Sequence, residues 1–262
     1  MFTPRRVRQM AAAICLSFVA AAASAQTKPK PYEPQSGQAG KDVVWVPTPQ
    51  ALVEKMLDLA KVTPQDFVMD LGSGDGRTVI TAAKRGARAL GVEFNPDMVT
   101  LSQNNAKEAG VSDRATFVKG DLFEADLSKA TVVTMFLLPQ INLKLRPKIL
   151  DLTPGTRIVS NSFTMEDWEA DETATVTENC VSWCTALLWI VPAKVTGTWS
   201  SPQGDLVLDQ KFQMVTGTYG GKPVSDGRLR GDQLTFTVGG TKQSARVNGN
   251  SMQGSNWTAT KK

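Results

Sequence analysis

The apolar positions change period along the chain. Leu52, Val53, Met56, Leu57 and Ala60 recur at helical spacing after Pro49, and Val62-Thr63-Pro64 closes that segment before the apolar run Phe67-Val68-Met69. Helical and strand periods then alternate: a helix from Arg77 to Arg85 stopped by Gly86, a strand from Ala89 to Phe94, a helix opened by Asn95-Pro96 and closed by Gly110, and a strand from Ala115 to Lys119. Thr131 to Leu138 predicts a fourth strand, Ile141 to Leu150 a helix, Arg157 to Phe163 a fifth strand, and Thr173 to Val191 a hairpin with both remaining cysteines in its turn. Such alternation predicts an α/β domain over residues 43 to 192, a Rossmann-like, doubly wound sheet of seven mostly parallel strands.

Beyond Pro192 the pattern shortens to alternating runs punctuated by glycine, such as Leu206-Val-Leu and Leu234-Thr-Phe-Thr-Val. Residues 193 to 262 are therefore expected to form a small all-β domain, a barrel or a sandwich of about seven antiparallel strands. Trp199, Tyr219 and Trp257 are expected in its core, the alternative being contacts for a partner.

The first residues belong to neither pattern. Arg5, Arg6 and Arg8 precede the apolar run Met10 to Ala23, which is short for a bilayer span, and Ala23-Ser24-Ala25 offers a small-residue cleavage site. Residues 1 to 25 read as a signal peptide cleaved after Ala25, with export to the bacterial periplasm or cell envelope. Residues 26 to 42, rich in proline, glycine and polar side chains, read as a flexible linker.

Removing the three signal arginines from 29 basic residues leaves 26 against 25 acidic ones, so the mature chain is nearly neutral and charge gives no reason to expect nucleic acid as a partner. Cys180 and Cys184 can close a small loop in an oxidising compartment or remain as buried thiols. Histidine is absent from the chain. That excludes a Ser-His-Asp triad and a His-containing metal site, and no metal ligand set is expected.

The chemistry-bearing segment is Asp70-Leu-Gly-Ser-Gly-Asp-Gly76, set between a predicted strand and a predicted helix. Backbone N–H groups there face the carboxyl edge of the sheet, where open α/β sheets bind ligands. A dinucleotide fingerprint spaces its glycines G-x-G-x-x-G, whereas Gly72, Gly74 and Gly76 alternate. Asp70 and Asp75 would repel a pyrophosphate and suit a cation. Glu93 ends the second strand, where a carboxylate accepts ribose hydroxyls, and Asp121 ends the third, placed for an adenine amino group between Phe94 and Leu122.

Together these elements resemble a class I S-adenosylmethionine-dependent methyltransferase over residues 43 to 192. The resemblance implies S-adenosylmethionine as cofactor, held by Asp70, Gly72, Ser73, Gly74, Asp75, Gly76, Glu93, Phe94, Asp121 and Leu122. Val46-Pro-Thr-Pro49, Ala82-Ala-Lys-Arg-Gly86, Phe136-Leu-Leu-Pro139 and Leu145 to Leu150 are similar to the mitochondrial protein-lysine methyltransferases and their bacterial relatives. That likeness implies methyl transfer to lysines of membrane-associated proteins, in the mitochondrial members a component of ATP synthase and the adenine nucleotide carrier. It places Pro47, Thr48 and Pro49 at the border of the cofactor and acceptor entrance, and Phe136, Leu137, Leu138 and Pro139 along the acceptor channel.

The export signal and the C-terminal β domain depart from the mitochondrial pattern. No catalytic side chain is assigned, because an amine attacking the methyl carbon in line needs positioning and desolvation rather than a dedicated base. Two other functions stay open: a small-molecule methyltransferase of the same fold, and a non-catalytic binding protein working through the β domain.

Overall fold

The computed structural model describes residues 32 to 262; the expected signal peptide and the first part of the expected linker lie outside them. The N-terminal part alternates helices and strands in the order α1 (Gln50–Leu59), β1 (Phe67–Leu71), α2 (Arg77–Lys84), β2 (Arg88–Glu93), α3 (Pro96–Glu108), β3 (Ala115–Lys119), β4 (Val132–Met135), α4 (Pro139–Leu150), β5 (Arg157–Asn161), β6 (Glu172–Thr175) and β7 (Thr185–Ile190). The strands form one sheet in the order β3-β2-β1-β4-β5-β7-β6. β1 to β5 run parallel, and β7 enters antiparallel between β5 and β6.

Alternate residues of each strand serve opposite faces. Val68 joins Leu52, Val79, Val99 and Ala106 under α1, α2 and α3, while Met69 and Leu71 join Ile141, Leu145 and Ile149 of α4 on the other side. One helix cannot cover that second face alone. Leu127, Met165 and Trp168, from irregular segments, complete it, all buried.

Local signals set the element ends. Asn95 caps α3 by accepting from the Asp97 amide at 2.9 Å, with Pro96 as its first residue. The expected strand 131 to 138 is shorter, because the chain leaves the sheet after Met135 and α4 starts earlier than expected, at Pro139.

The C-terminal part is a closed antiparallel barrel of eight strands, one more than expected: β8 (Gly197–Ser200), β9 (Leu206–Lys211), β10 (Met214–Tyr219), β11 (Lys222–Arg230), β12 (Gln233–Val238), β13 (Thr241–Asn248), β14 (Ser251–Gly254) and β15 (Thr258–Lys261). Pairing of β15 with β8, and of β8 with β9, closes the ring and leaves no free edge. Trp199, Tyr219, Phe236 and Trp257 are buried inside, so the three singled-out aromatics are core residues.

The barrel packs on the sheet's β6 end. Phe212 stacks on Trp168 with centroids 5.6 Å apart, Gln213 donates to the Glu169 carbonyl at 2.8 Å, and Arg228 reaches Asp171 at 2.8 Å.

Candidate functional site

A cleft opens at the carboxyl ends of β1, β2, β3 and β4. β1 delivers Asp70 there, and the chain turns through Gly72, Gly74 and Gly76, whose φ values of +76°, +54° and +83° disfavour side chains with a Cβ. The amides of Gly72 and Ser73 donate to the Val92 carbonyl at 2.9 and 3.1 Å, which pins the loop across the end of β2.

Close approach adds to the backbone requirement. A Cβ on Gly74 would stand 2.4 Å from the Trp45 indole nitrogen, and one on Gly76 would meet the Phe117 ring at 2.7 Å. Both neighbours lie too close for any larger residue.

Glu93 accepts the Gly74 amide on one carboxylate oxygen and the Asn95 amide on the other, each at 2.9 Å. It therefore couples the glycine loop to the start of α3, with lone pairs left for further donors. Asp70 is buried and accepts the Thr134 hydroxyl at 2.7 Å. Burial pushes its pKa up to about 7; the Thr134 hydrogen bond opposes this and the charges of Glu93 and Asp75 add to it.

Asp75 behaves differently from Asp70. Its carboxylate lies against Arg77, with Nε 3.0 Å from Oδ1 and Nη2 2.6 Å from Oδ2, so its charge is already met by a cation of the chain. The same guanidinium donates to the Thr48 carbonyl at 2.8 Å, tying the glycine loop to the Val-Pro-Thr-Pro turn. Asn161, buried at the end of β5, donates to the Thr48 hydroxyl at 3.3 Å.

Asp121 accepts the Phe123 amide at 2.9 Å and pairs with Lys41. Lys41 holds its carboxyl below the usual carboxylate range, with the Phe123 amide acting in the same direction. The Lys41 ammonium also lies 5.1 Å from the ring centroid of Phe94, a residue that is 46% exposed.

Residues 38 to 48 line this cleft. Part of that segment was expected to be linker; instead Gly37 and Gln38 pair with Trp45 through backbone hydrogen bonds of 2.8 and 2.9 Å, and Lys41 and Trp45 anchor it on Asp121 and Gly74.

Of the singled-out residues, Asp70, Gly72, Ser73, Gly74, Asp75, Glu93, Phe94, Asp121 and Leu122 line the cleft, as do Pro47, Thr48, Phe136 and Leu137. Gly76, Pro49, Leu138 and Pro139 do not: Gly76, Pro49 and Leu138 cap α2, α1 and α4, and Pro139 begins α4. Four residues that sequence reasoning passed over contribute: Lys41, Trp45, Thr134 and Asn161. Thr134 and Asn161, polar residues inside expected apolar strands, carried a local signal; Lys41 and Trp45 did not.

The ANTKMT methyltransferase domain model matches residues 70 to 172. A protein-lysine N-methyltransferase of the archaeon Saccharolobus islandicus is 49% identical over 133 residues, covering 50% of this chain and 83% of that protein. The chain belongs to this methyltransferase family. A mouse lysine N-methyltransferase named for its ATP synthase substrate is 36% identical over 130 residues, and the mouse adenine nucleotide translocase lysine N-methyltransferase 38% over 119. The alignments cover 49% and 45% of this chain and 52% of each mouse protein, so the chain spans about half the length of these relatives. A crystal structure named as an RNA methyltransferase from Salinibacter ruber, with S-adenosyl-L-homocysteine bound, superposes with a TM-score of 0.54 at 49% identity, over 57% of this chain and 96% of that one.

The methyltransferase thus uses S-adenosylmethionine, and its cleft has features that fit that cofactor. The Ser73 hydroxyl is buried in the loop without a hydrogen-bond partner among the described residues, and the half-exposed Phe94 lines the cleft with Asp121 and Leu122.

Proposed function

We propose that this enzyme is an exported protein-lysine N-methyltransferase. One observation carries the reading: a single cleft is lined both by the glycine loop with Glu93 and by Pro47, Thr48, Phe136 and Leu137, so cofactor and acceptor can meet in one space. The names of the archaeal and mouse relatives support lysine as acceptor. The predicted signal peptide supports export, and the Cys180–Cys184 disulfide suits an oxidising compartment.

Bound S-adenosylmethionine supplies a methyl group on a sulfonium, ready for in-line displacement. In this reading Glu93 accepts the ribose hydroxyls while its backbone donors hold it in place. Asp70 places a carboxylate opposite the cationic end of the cofactor. Asp121, once released by Lys41, accepts the adenine amino group between Phe94 and Leu122. Thr48, fixed by Arg77 and Asn161, and Phe136 wall the acceptor side and exclude water, which favours loss of the lysine proton before attack.

The Salinibacter structure's name raises RNA as a second acceptor class. Against it stands the near balance of 26 basic and 25 acidic residues after signal removal, which leaves little attraction for phosphates. Labelled cofactor offered to membrane proteins, soluble proteins and total RNA separates the readings. Label is expected in methylated lysine of the protein fractions, and label in RNA alone would overturn the proposal. Fractionation tests export: the mature chain is expected outside the inner membrane, and a cytoplasmic full-length chain would refute that part.

A further inference from the structure

The hairpin of β6 and β7 ends in a tip that the cofactor site leaves unused. The Val176 amide donates to the Cys184 carbonyl at 2.8 Å as its last rung, and the Cys180–Cys184 disulfide closes the turn beyond it. Neither cysteine is buried, so the buried-thiol alternative does not apply. Within the closed loop Val181 is 102% exposed and Trp183 44% exposed. Trp183 has φ +52°, a conformation that bulky residues rarely adopt.

This conformation brings the indole to the acceptor wall. Trp183 meets Phe136 edge-on, with centroids 5.9 Å apart at 60°, and Phe136 stacks on Phe163 at 5.8 Å and 20°. Phe136 itself lines the cofactor cleft. Phe136 therefore joins the cleft to two further rings, Phe163 on one side and, on the other, an exposed indole on a covalently closed loop.

We propose that Trp183 is an acceptor-contact residue and that the disulfide positions it. With the lysine reading of the site, on which this rests, the wall takes the aliphatic stem of the acceptor lysine against Phe136 and Phe163. Trp183, at the solvent end, offers its face to the peptide adjoining that lysine and to cationic side chains it carries. Aromatic faces attract such cations, and an indole does so best among the side chains. Disulfide closure matters because an open tip would give Trp183 many conformations, and ordering them would oppose acceptor binding.

The test compares wild type, Trp183→Ala, Trp183→Phe and the double variant Cys180→Ser/Cys184→Ser, using methyl-labelled S-adenosylmethionine, envelope proteins as acceptor, and amino-acid analysis of the labelled product. Trp183→Ala is expected to raise the acceptor KM about tenfold with little change in kcat. Cofactor affinity and melting temperature should stay at wild-type values. Trp183→Phe should restore most of the loss, and the double cysteine variant, or wild type treated with dithiothreitol, should fall between.

An unchanged KM in Trp183→Ala overturns the assignment whatever the acceptor is. Label in a residue other than lysine overturns the lysine reading, while a raised KM in Trp183→Ala would still support the contact. No transfer by wild type to any envelope protein overturns both. A full effect in Trp183→Ala with none in the cysteine variant refutes the positioning role of the disulfide alone.

Discussion

Thr134 donates its hydroxyl across 2.7 Å to Asp70, a buried carboxylate whose pKa burial has pushed up to about 7. The two residues stand side by side on neighbouring strands, in register at the end where β1 turns into the glycine loop. The hydrogen bond favours the ionised acid and so opposes the burial that raised its pKa.

Cofactor affinity should consequently depend on pH. Asp70 titrates higher in the folded protein than unfolded, so its protonation stabilises the free protein, and that contribution is lost as pH rises from the ordinary aspartate range through about 7. A cationic cofactor favours the opposite, ionised form. Binding should therefore strengthen as pH rises toward about 7, with release of up to about one proton, and level off above it. Calorimetric titration in buffers of differing ionisation enthalpy measures that proton directly. Thr134→Val should move the plateau to higher pH, and a flat profile in both proteins would contradict the role given to Asp70.

Lys41 pairs with one carboxylate oxygen of Asp121, the residue proposed to accept the adenine amino group. Lys41→Ala should leave Asp121 open and raise cofactor affinity by a small factor, of order twofold, because exposed ion pairs contribute little. The gain should shrink with added salt, which already screens the pair in wild type. Weaker binding in Lys41→Ala would mean that the segment carrying it helps to hold the cofactor.

Gly91 sits buried in β2 in an ordinary extended conformation, so only its surroundings require glycine. A Cβ there would stand 2.5 Å from the Ser73 hydroxyl oxygen and 2.6 Å from the Phe117 ring. Gly91→Ala should cost about 1–3 kcal/mol through overpacking. It should also weaken cofactor binding, since Ser73 of the glycine loop is one of the two side chains that must give way. Urea unfolding with a parallel cofactor titration separates the two effects, and wild-type values in both would refute the packing argument.

The legibility of the chain follows the range of the interactions. Strand and helix periods are local, so the succession of elements along the chain and the loop from Asp70 to Gly76 could be read from neighbouring residues, as could Glu93 at a strand end. Lys41 meets Asp121 across 80 positions, and nothing near Lys41 marks it as more than a polar linker residue. The barrel shows the same divide. Its alternating strands were evident, but closure rests on β15 finding β8, a pairing between opposite ends of the segment. The state of Cys180 and Cys184 was likewise undetermined, since a spacing of four suits a loop and a pair of thiols alike.

Arg228 on β11 joins the barrel to the sheet by reaching Asp171 at 2.8 Å, and the Asp171 side chain is fully buried there while accepting the Ile190 amide at 2.9 Å. Replacing Arg228 with Met keeps much of the aliphatic packing and removes the charge. The buried carboxylate then keeps a single backbone donor, and stability should fall by about 1–3 kcal/mol. None of these residues lines the cofactor cleft, so cofactor affinity should hold at the wild-type value. Acceptor KM is the informative quantity, because Asp171 precedes β6, the strand that leads to the disulfide-closed tip bearing Trp183. A loss of stability with unchanged acceptor KM would make the barrel a brace for the sheet edge. A raised acceptor KM at a temperature where the variant is fully folded would make it part of the device that aims the tip.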